Sequence, residues 1–273
     1  MTIDLKALRA QYETLVSKDG DSDSSTTKIP YITLKEGNNI VRILPGKDDD
    51  DFVAETAIHR VPQDGQTYDR AVHCLKTHGE DCPLCNLYYA LWAGVNNGTT
   101  QDEAGDKKLA NKIRARSRFY FNALDRGDKN KIKVFSVGVK MYRTIVGSIL
   151  DEDYITEDDE TLIDLNNGHD YKIQKVMEDG WPKYEGSMPR PKITPAAESK
   201  KEIAEIMDSL HDIQSLVKHE DYAEVKLMAE SIAVTGRVAA MSKSTTTEGK
   251  PSKKVEEEEV SNEDYLAKMR GNE

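Results

Sequence analysis

The chain of 273 residues carries 49 acidic and 38 basic side chains and 37% hydrophobic residues, which predicts a modest core with polar appendages. Its net charge of −11 does not exclude a nucleic-acid partner, because binding depends on where the charges lie. We expect no membrane partner, since no run approaches the roughly 18 apolar residues that a membrane-spanning helix needs. Three cysteines within twelve positions are not typical of a disulfide framework, so we expect an intracellular protein.

The N-terminal segment, residues 1–20, is predicted to form a helical arm. Its apolar residues recur at helical spacing on one face: Leu5, Leu8, Tyr12 and Leu15. A polar run rich in Asp, Ser and Thr continues to residue 28 and predicts a linker. The helix either packs on the protein's own core or, because a linker separates it from the rest, docks another protein.

Residues 21–240 are predicted to form an α+β core. Residues 31–34 and 40–45 alternate apolar and polar side chains around a Gly-Asn-Asn turn, which predicts a β-hairpin. Further strands are predicted at residues 53–61, 119–124, 131–139 and 171–177. Helices are predicted at residues 82–92, 141–150, 198–218 and 222–234, with a polar loop at 96–106. Short strands with a few helices favour an α+β fold built on a small β-barrel.

Residues 241–273 lose these periodic signals. A linker rich in Ser, Thr and Lys comes first, followed by four consecutive glutamates and a short segment around Tyr265 and Leu266. This composition predicts a disordered, flexible C-terminal tail with a short interaction motif near its end.

The strongest chemical signal is a group of metal-ligand residues, His59, Cys74 and the pair Cys82-Pro83-Leu84-Cys85. A Cys-x2-Cys pair on a tight turn presents two thiolates to one tetrahedral zinc ion, and a third thiolate with one imidazole completes the shell. A complete shell leaves no position for a reactive water, so the predicted Zn²⁺ is structural.

The spacing alone does not decide which histidine is the fourth ligand. His73 is the weakest candidate, because neighbours on an extended segment point to opposite faces and Cys74 is adjacent. His78 would give a compact Cys-x3-His-x3-Cys-x2-Cys pattern. His59 lies on the preceding strand and would reach across a hairpin. Both His59 and His78 remain open on the residues alone.

No arrangement of residues predicts catalysis. The zinc deaminase signature needs more chain between its two halves than His78 and Cys82 allow. A metalloprotease pattern beginning at His219 lacks the second histidine, since position 223 is Ala. We therefore expect a protein that is not an enzyme.

The middle of the chain is basic within an acidic protein. Residues 106–146 contain twelve Lys or Arg against three Asp, a local net charge of +9, and an acidic stretch follows at 151–170. Aromatic residues are interleaved with or follow this charge: Phe119, Tyr120, Phe121, Tyr142, Trp181 and Tyr184. Aromatic faces beside cations suit single strands, because unpaired bases stack on them, whereas a duplex hides its base faces. Phe119 to Phe121 is equally consistent with a core strand, in which alternation buries at least one ring.

This pattern resembles the helix-destabilising single-stranded-DNA-binding proteins of T-even-like bacteriophages. The stretches that carry the resemblance are residues 40–45, His59 with Cys74, residues 77–79 leading into Cys82-Pro83-Leu84-Cys85, residues 114–122, residues 137–142 and Gly180-Trp181-Pro182-Lys183-Tyr184. In order and spacing they cover about residues 30–190, and the cysteine cluster is the most specific of them.

The resemblance implies an OB-fold core with an inserted zinc-binding subdomain at about residues 55–118, and a cleft between them that holds the strand. It favours His59 as the fourth ligand. The DNA-contacting positions that it implies are Arg114, Arg116, Phe119, Tyr120, Tyr142, Trp181 and Tyr184. Three basic residues in or beside the matching stretches complete the predicted DNA-binding set: Arg42, Arg118 and Lys140.

The resemblance also implies self-association along DNA through the N-terminal arm. It implies, too, that the C-terminal tail recruits replication and recombination proteins. The leading hypothesis is sequence-independent binding of single-stranded DNA in phage replication, recombination and repair, in the cytoplasm of the infected bacterial host. The alternative is a zinc-ribbon adaptor or accessory factor that docks a protein or duplex DNA in transcription or at the replisome.

Overall fold

A computed structural model describes residues 29–47, 52–63, 67–154 and 161–244. The predicted N-terminal arm lies outside the described residues, and so does the predicted tail apart from residues 241–244, which end the last helix.

The described residues form a mixed α+β structure with an antiparallel sheet, as the sequence predicts. The strands are β1 Gly37–Ile43, β2 Ala54–Val61, β3 Arg70–His73, β4 Arg116–Asp125, β5 Lys131–Val137, β6 His169–Glu178, β7 Trp181–Lys183 and β8 Met188–Ile193. The α-helices are α1 Pro83–Asn96, α2 Glu103–Ile113, α3 Val139–Ile149, α4 Lys200–Asp208 and α5 Tyr222–Ser244. Short 3-10 helices occupy Leu75–His78, Glu152–Tyr154 and Gln214–Leu216.

Strand β4 is the centre of the sheet. Its first half pairs with β2, its last residues pair with β1, and β5 runs along most of its other edge. The sheet continues from β1 to β6, which pairs with both β7 and β8. Strand β4 therefore joins two groups of strands. β2 and β3 follow from the start of β4, and β1, β6, β7 and β8 follow from its end.

The alternation of β4 explains its position between two layers. Phe119 and Phe121 point into the main core, where they pack with residues of β1, β5, β6 and α3. Arg116, Arg118 and Tyr120 alternate with them and therefore lie on the opposite face. Residues 116–121 thus give β4 one face that packs in the core and one face that is basic.

A second core surrounds the cysteines. Cys74, Cys82 and Cys85 pack with Val72 and Leu84 from the chain nearby. Helix α5 completes this core from far along the chain with three buried residues: Val225, Ala229 and Ile232. The cysteine-containing lobe is therefore closed by a helix that lies outside the predicted range 55–118.

The predicted hairpin between residues 31–34 and 40–45 is wrong. β1 pairs with β4 and β6, whereas Ile32 donates its backbone N–H to Val134 on β5, with an N···O distance of 2.9 Å. Alternation of apolar side chains predicts that a segment is extended, but it does not select the partner strand. The predicted strand 131–139 also ends early, because Val139 begins α3.

The predicted helix 198–218 is shorter in the structure, and part of the predicted loop 96–106 is helical. Ser199 and Glu202 form a reciprocal capping box that starts α4, and this helix ends at Asp208. Asp102 caps α2 by accepting a hydrogen bond from the backbone N–H of Gly105. Side-chain caps thus mark where α2 and α4 begin, and composition alone did not predict the first of these starts.

Candidate metal centre and cationic groove

Four buried side chains form a compact group of potential metal ligands: His59, Cys74, Cys82 and Cys85. Their ligand atoms all lie within 4.8 Å of one another. His59 lies on β2, and Cys74 follows β3 directly. Cys82 is the N-cap of α1 and Cys85 lies in its first turn, because Pro83 occupies the first helical position. Two strands and one helix start therefore bring the four residues together.

The distances fit a tetrahedral shell. The Sγ atoms of Cys74 and Cys85 are 3.5 Å apart, and Nε2 of His59 lies 3.5 Å from Sγ of Cys82 and 3.7 Å from Sγ of Cys85. A tetrahedral zinc ion with ordinary bond lengths separates two sulfurs by about 3.8 Å and a sulfur and a nitrogen by about 3.6 Å. Three sulfurs and one nitrogen at these separations are a donor set that zinc accepts.

A hydrogen bond on the side of the ring away from the sulfurs fixes the orientation of His59. Its Nδ1 lies 2.6 Å from the carbonyl oxygen of Ile113, the last residue of α2. The Nδ1–H donates to that oxygen, which leaves Nε2 as the nitrogen that faces the sulfurs. His59 is therefore the histidine that lies with the three cysteines in this cluster.

The other two candidate histidines are engaged elsewhere. Nε2 of His78 lies 3.2 Å from the carbonyl oxygen of Lys218, and its ring packs against His219. Nδ1 of His73 lies 3.0 Å from the hydroxyl of Thr56. Neither side chain belongs to the cysteine cluster.

The protons of the cluster are unevenly shared. Hydrogen bonds with Cys74 and Cys85 lower the pKa of the Cys82 thiol, whereas hydrogen bonds with Cys74 and Cys82 raise the pKa of Cys85. Burial alone would lower the pKa of His59, but its hydrogen bonds with Cys74 and Cys82 raise it to about 9. Because the thiolate is the form that ligates metals, a metal that enters the cluster must displace protons from both ring and thiols.

A groove of about 650 Å³ runs beside this lobe. Its walls come from the segment 114–118 leading into β4, the end of β5, the start of α3 and the strand β7. Five of the predicted DNA-binding residues line it: Arg114, Arg116, Arg118, Lys140 and Tyr184. Three further residues line it that the sequence did not assign to DNA binding: Leu34, Asn111 and Pro182.

Several basic residues of this stretch are paired with carboxylates, but the four cations of the groove form no ion pair with any described residue. Five of the twelve basic residues in 106–146 form ion pairs with Asp or Glu: Lys107, Lys112, Arg126, Lys131 and Lys133. Within the described part of the chain, Arg114, Arg116, Arg118 and Lys140 form none. The positive charge of the stretch is therefore available to an anion in this groove.

The start of α3 adds to this positive potential. Its N-cap is Gly138, which offers no side-chain cap, and its first turn contains no acidic residue. The free backbone N–H groups at a helix start carry partial positive charge. The guanidinium of Arg118 lies against Gly138, so the helix start and the arginine face the same space.

Two predicted stacking residues are buried. Phe119 is 4% exposed and stacks on Tyr142, with ring centroids 3.8 Å apart and an interplanar angle of 10°. Tyr120 is 6% exposed and packs with Ala54 and Val134. Both rings are used in packing and leave little surface for a base, so Phe119 and Tyr120 fit the core-strand alternative for this segment. Tyr142 is half-buried beside them.

Arg42, another of the predicted DNA-binding residues, is buried as well. Its side chain is fully buried, and its guanidinium donates to the carbonyl oxygen of Asp164. Strand β1 lies between β4 and β6, and on it Arg42 lies away from the groove-lining residues. A fully buried side chain does not reach a strand on the surface, so Arg42 is a structural residue.

Trp181 is exposed but does not line the groove. It begins β7 directly after a two-residue turn in which Asp179 and Gly180 both have positive φ, 50° and 78°. These angles are typical of a type I′ turn. Pro182 and Tyr184 lie on the groove side, and alternation places Trp181, 66% exposed, on the opposite face of the hairpin.

The buried Cys-Cys-Cys-His cluster and the adjacent cationic groove are features of nucleic-acid-binding proteins with a metal-stabilised lobe. Residues 35–234 match the family model described as gp32 DNA binding protein like, so the chain belongs to this DNA-binding family. The resemblance predicted from the sequence is thereby confirmed. A search of curated proteins finds no match. Among the described residues, no helix combines the length and apolar character needed to cross a bilayer.

Proposed function

We propose that the chain binds single-stranded DNA without sequence specificity and takes part in phage DNA replication, recombination and repair as a non-enzymatic factor. Family membership supports DNA binding, and the groove supports the single-stranded form. Its four cations, which form no ion pair among the described residues, suit phosphates, and phosphates carry no sequence information. Tyr184 offers a half-buried ring in the same groove, on which an unpaired base stacks.

The remaining parts of the proposal concern regions beyond the groove. The arm, residues 1–20, supports self-association along DNA, and the tail, residues 241–273, recruits replication and recombination proteins in the cytoplasm of the infected host. The β4 strand, shared between two groups of strands, supports an OB-fold core of residues 21–240. The lobe at about residues 55–118 is its inserted metal-binding part.

The ion of the cysteine cluster is proposed to be structural Zn²⁺. Three thiolates and an imidazole at tetrahedral separations favour zinc, and all four ligands are buried. When bound, zinc supplies a crosslink between β2, the end of β3 and the start of α1. The residues themselves prepare the site, since Ile113 orients His59 and Pro83 starts the helix that carries Cys85.

The observation that carries the functional proposal is the groove with four unpaired cations and Tyr184. It is tested by a fluorescence-anisotropy titration with labelled oligothymidylate and with duplex of the same length. We expect saturation on the single strand at a much lower protein concentration. Equal affinity for both forms would contradict the proposal and favour the adaptor that docks duplex DNA or protein.

Two variants with matched charge changes locate the binding surface. Replacing both groove arginines, Arg116→Gln with Arg118→Gln, removes two phosphate partners, so the slope of log affinity against log salt should fall by about 1.4. The control, Lys107→Gln with Lys131→Gln, removes two cations of the same stretch that are already paired with Glu103 and Asp128, and it should leave the slope unchanged. An equal effect of both changes would mean that the strand does not follow the groove.

A further inference from the structure

An exposed tyrosine lies beside the groove on a segment that the sequence did not assign to DNA binding. Tyr31 is 45% exposed and meets Tyr120 edge-on, with ring centroids 6.4 Å apart and an interplanar angle of 71°. Its backbone is held against β5, because Val134 donates to the carbonyl oxygen of Pro30 and accepts from the N–H of Ile32. The ring is therefore fixed on one side and open on the other.

The tyrosine is continuous with the groove. Tyr31 forms a parallel bridge with Val134, which lies on the same face of β5 as Ser136. Ser136 lines the groove and is the cross-strand partner of Tyr120. Arg118 lines the groove as well and lies two residues before Tyr120, on the same face of β4. A strand that leaves the groove past Arg118 and Ser136 therefore meets Tyr31 next.

Positive charge accompanies this path. Arg60, at the end of β2, is exposed and forms no ion pair within the described part of the chain. Burial and the neighbouring Tyr31 raise the pKa of Tyr120, while the charges of Arg118 and Arg60 act in the opposite direction. Arg60 lies two residues after Ile58, the cross-strand partner of Arg116, so it shares the face of the sheet that carries Arg118 and Tyr120.

We propose that Tyr31 stacks the base that leaves the groove and that Arg60 binds a phosphate of that nucleotide. The buried ring of Tyr120 supports Tyr31 from below and makes no base contact of its own. This extension of the binding site rests on the proposed single-strand function. It assigns a recognition role to a residue 83 positions before the first groove arginine, Arg114. The ligand is a nucleotide of a single strand, because a paired base does not offer its face to a ring.

The length of the oligonucleotide separates this extension from the groove itself. Labelled oligothymidylates from about four to about sixteen nucleotides cover the usual range for one binding domain. Tyr31→Ala should leave the affinity for the shortest oligomers unchanged and lower the affinity for the long ones about tenfold. Tyr31→Trp should preserve the affinity at all lengths. Tyr222→Ala is the matched control, since Tyr222 is also 45% exposed but lies on α5.

A second variant tests the phosphate contact independently. Arg60→Gln should lower the salt slope by about 0.7 with long oligomers and leave it unchanged with short ones. Lys201→Gln, on the exposed surface of α4, should change neither. These measurements remain decisive if Tyr31→Ala melts at a lower temperature, because Tyr31→Trp keeps the ring and Arg60 is exposed.

Two results would overturn the extension. One is an equal loss of affinity at every length, which would place Tyr31 within the groove's own structure; the other is no loss at any length. Failure of the underlying single-strand function is recognised separately, because the unmodified protein would then show no preference for oligothymidylate over duplex.

Discussion

Arg42 is a fully buried cation on strand β1. Its guanidinium packs against the backbone at Asp164 and Gly168. Burial lowers its pKa to about 10, and the nearby Asp170 acts in the opposite direction, so the side chain remains charged at neutral pH. Its hydrogen bond to the carbonyl of Asp164 holds the chain where Gly168 passes over it.

Gly168 is the position at which this packing is most easily tested. A Cβ there would overlap with the Arg42 guanidinium and with the backbone carbonyls of Leu162 and Asp164. We expect Gly168→Ala to lower the free energy of unfolding by about 1–3 kcal/mol, as overpacking of a core does. The measurement is urea denaturation, with single-strand affinity as a second readout that should not change.

The control for this change is Gly147→Ala. Gly147 lies within α3, and a Cβ there meets nothing within 4 Å. Because alanine favours the helix over glycine, this variant should gain roughly 0.5–1 kcal/mol. A Gly168→Ala protein as stable as Gly147→Ala would show that Arg42 is not enclosed in the way described.

At the scale of elements, the β6–β7 hairpin divides two aromatic residues that stand close together in the sequence. The type I′ turn at Asp179 and Gly180 sets the register, and alternation then places Pro182 and Tyr184 on the groove side. Trp181 takes the outer face, where Lys183 lies two residues further along the strand. Proximity in the sequence therefore does not place both rings at the DNA.

We expect truncation of Tyr184 and truncation of Trp181 to affect DNA binding unequally. Tyr184→Ala should weaken binding of oligothymidylate about tenfold, since loss of one stacked base costs roughly 1–3 kcal/mol. Trp181→Ala should change the affinity less than about twofold, because the indole faces away from the groove. Both affinities are measured by anisotropy at one salt concentration. A larger loss for Trp181→Ala would mean that the strand crosses the outer face of the hairpin.

The sequence predicts those strands and site residues that are marked by a pattern within a short stretch of the chain. The strands near β2, β4, β5 and β6, the metal ligands, and the basic character of residues 114–118 all follow from alternation or spacing within a short stretch. The partners of β1, the burial of Tyr120 and the closure of the metal lobe by α5 depend on contacts between distant segments. No periodic pattern records such contacts, and for this reason the sequence does not predict that Arg42 is buried or that Trp181 lies outside the groove.

At the scale of the whole molecule, the metal cluster and the groove are joined by two consecutive residues. The carbonyl of Ile113 holds His59, and the next residue, Arg114, lines the groove. Helix α5 packs on the same lobe through Val225 and Ala229. Loss of the ion should therefore loosen both the lobe and one wall of the groove.

Removal of the metal tests this connection. The purified protein should contain about one zinc ion per chain, and chelation should lower its Tm by about 10 °C or more and weaken single-strand binding. Cys82→Ser should reproduce both effects without a chelator. His78→Ala should keep the metal, because His78 lies outside the cluster. Metal content is measured by atomic emission and Tm by circular dichroism; a His78→Ala protein without zinc would contradict the assignment of His59.

The edge strand β8 has a consequence for how the protein behaves when it is crowded. β8 pairs with β6 alone among the described strands, and its sequence includes Pro189 and Pro191. Proline has no backbone N–H, so this edge makes a poor template for a strand from another molecule. Protein molecules packed side by side at high local concentration would therefore resist strand pairing through this edge.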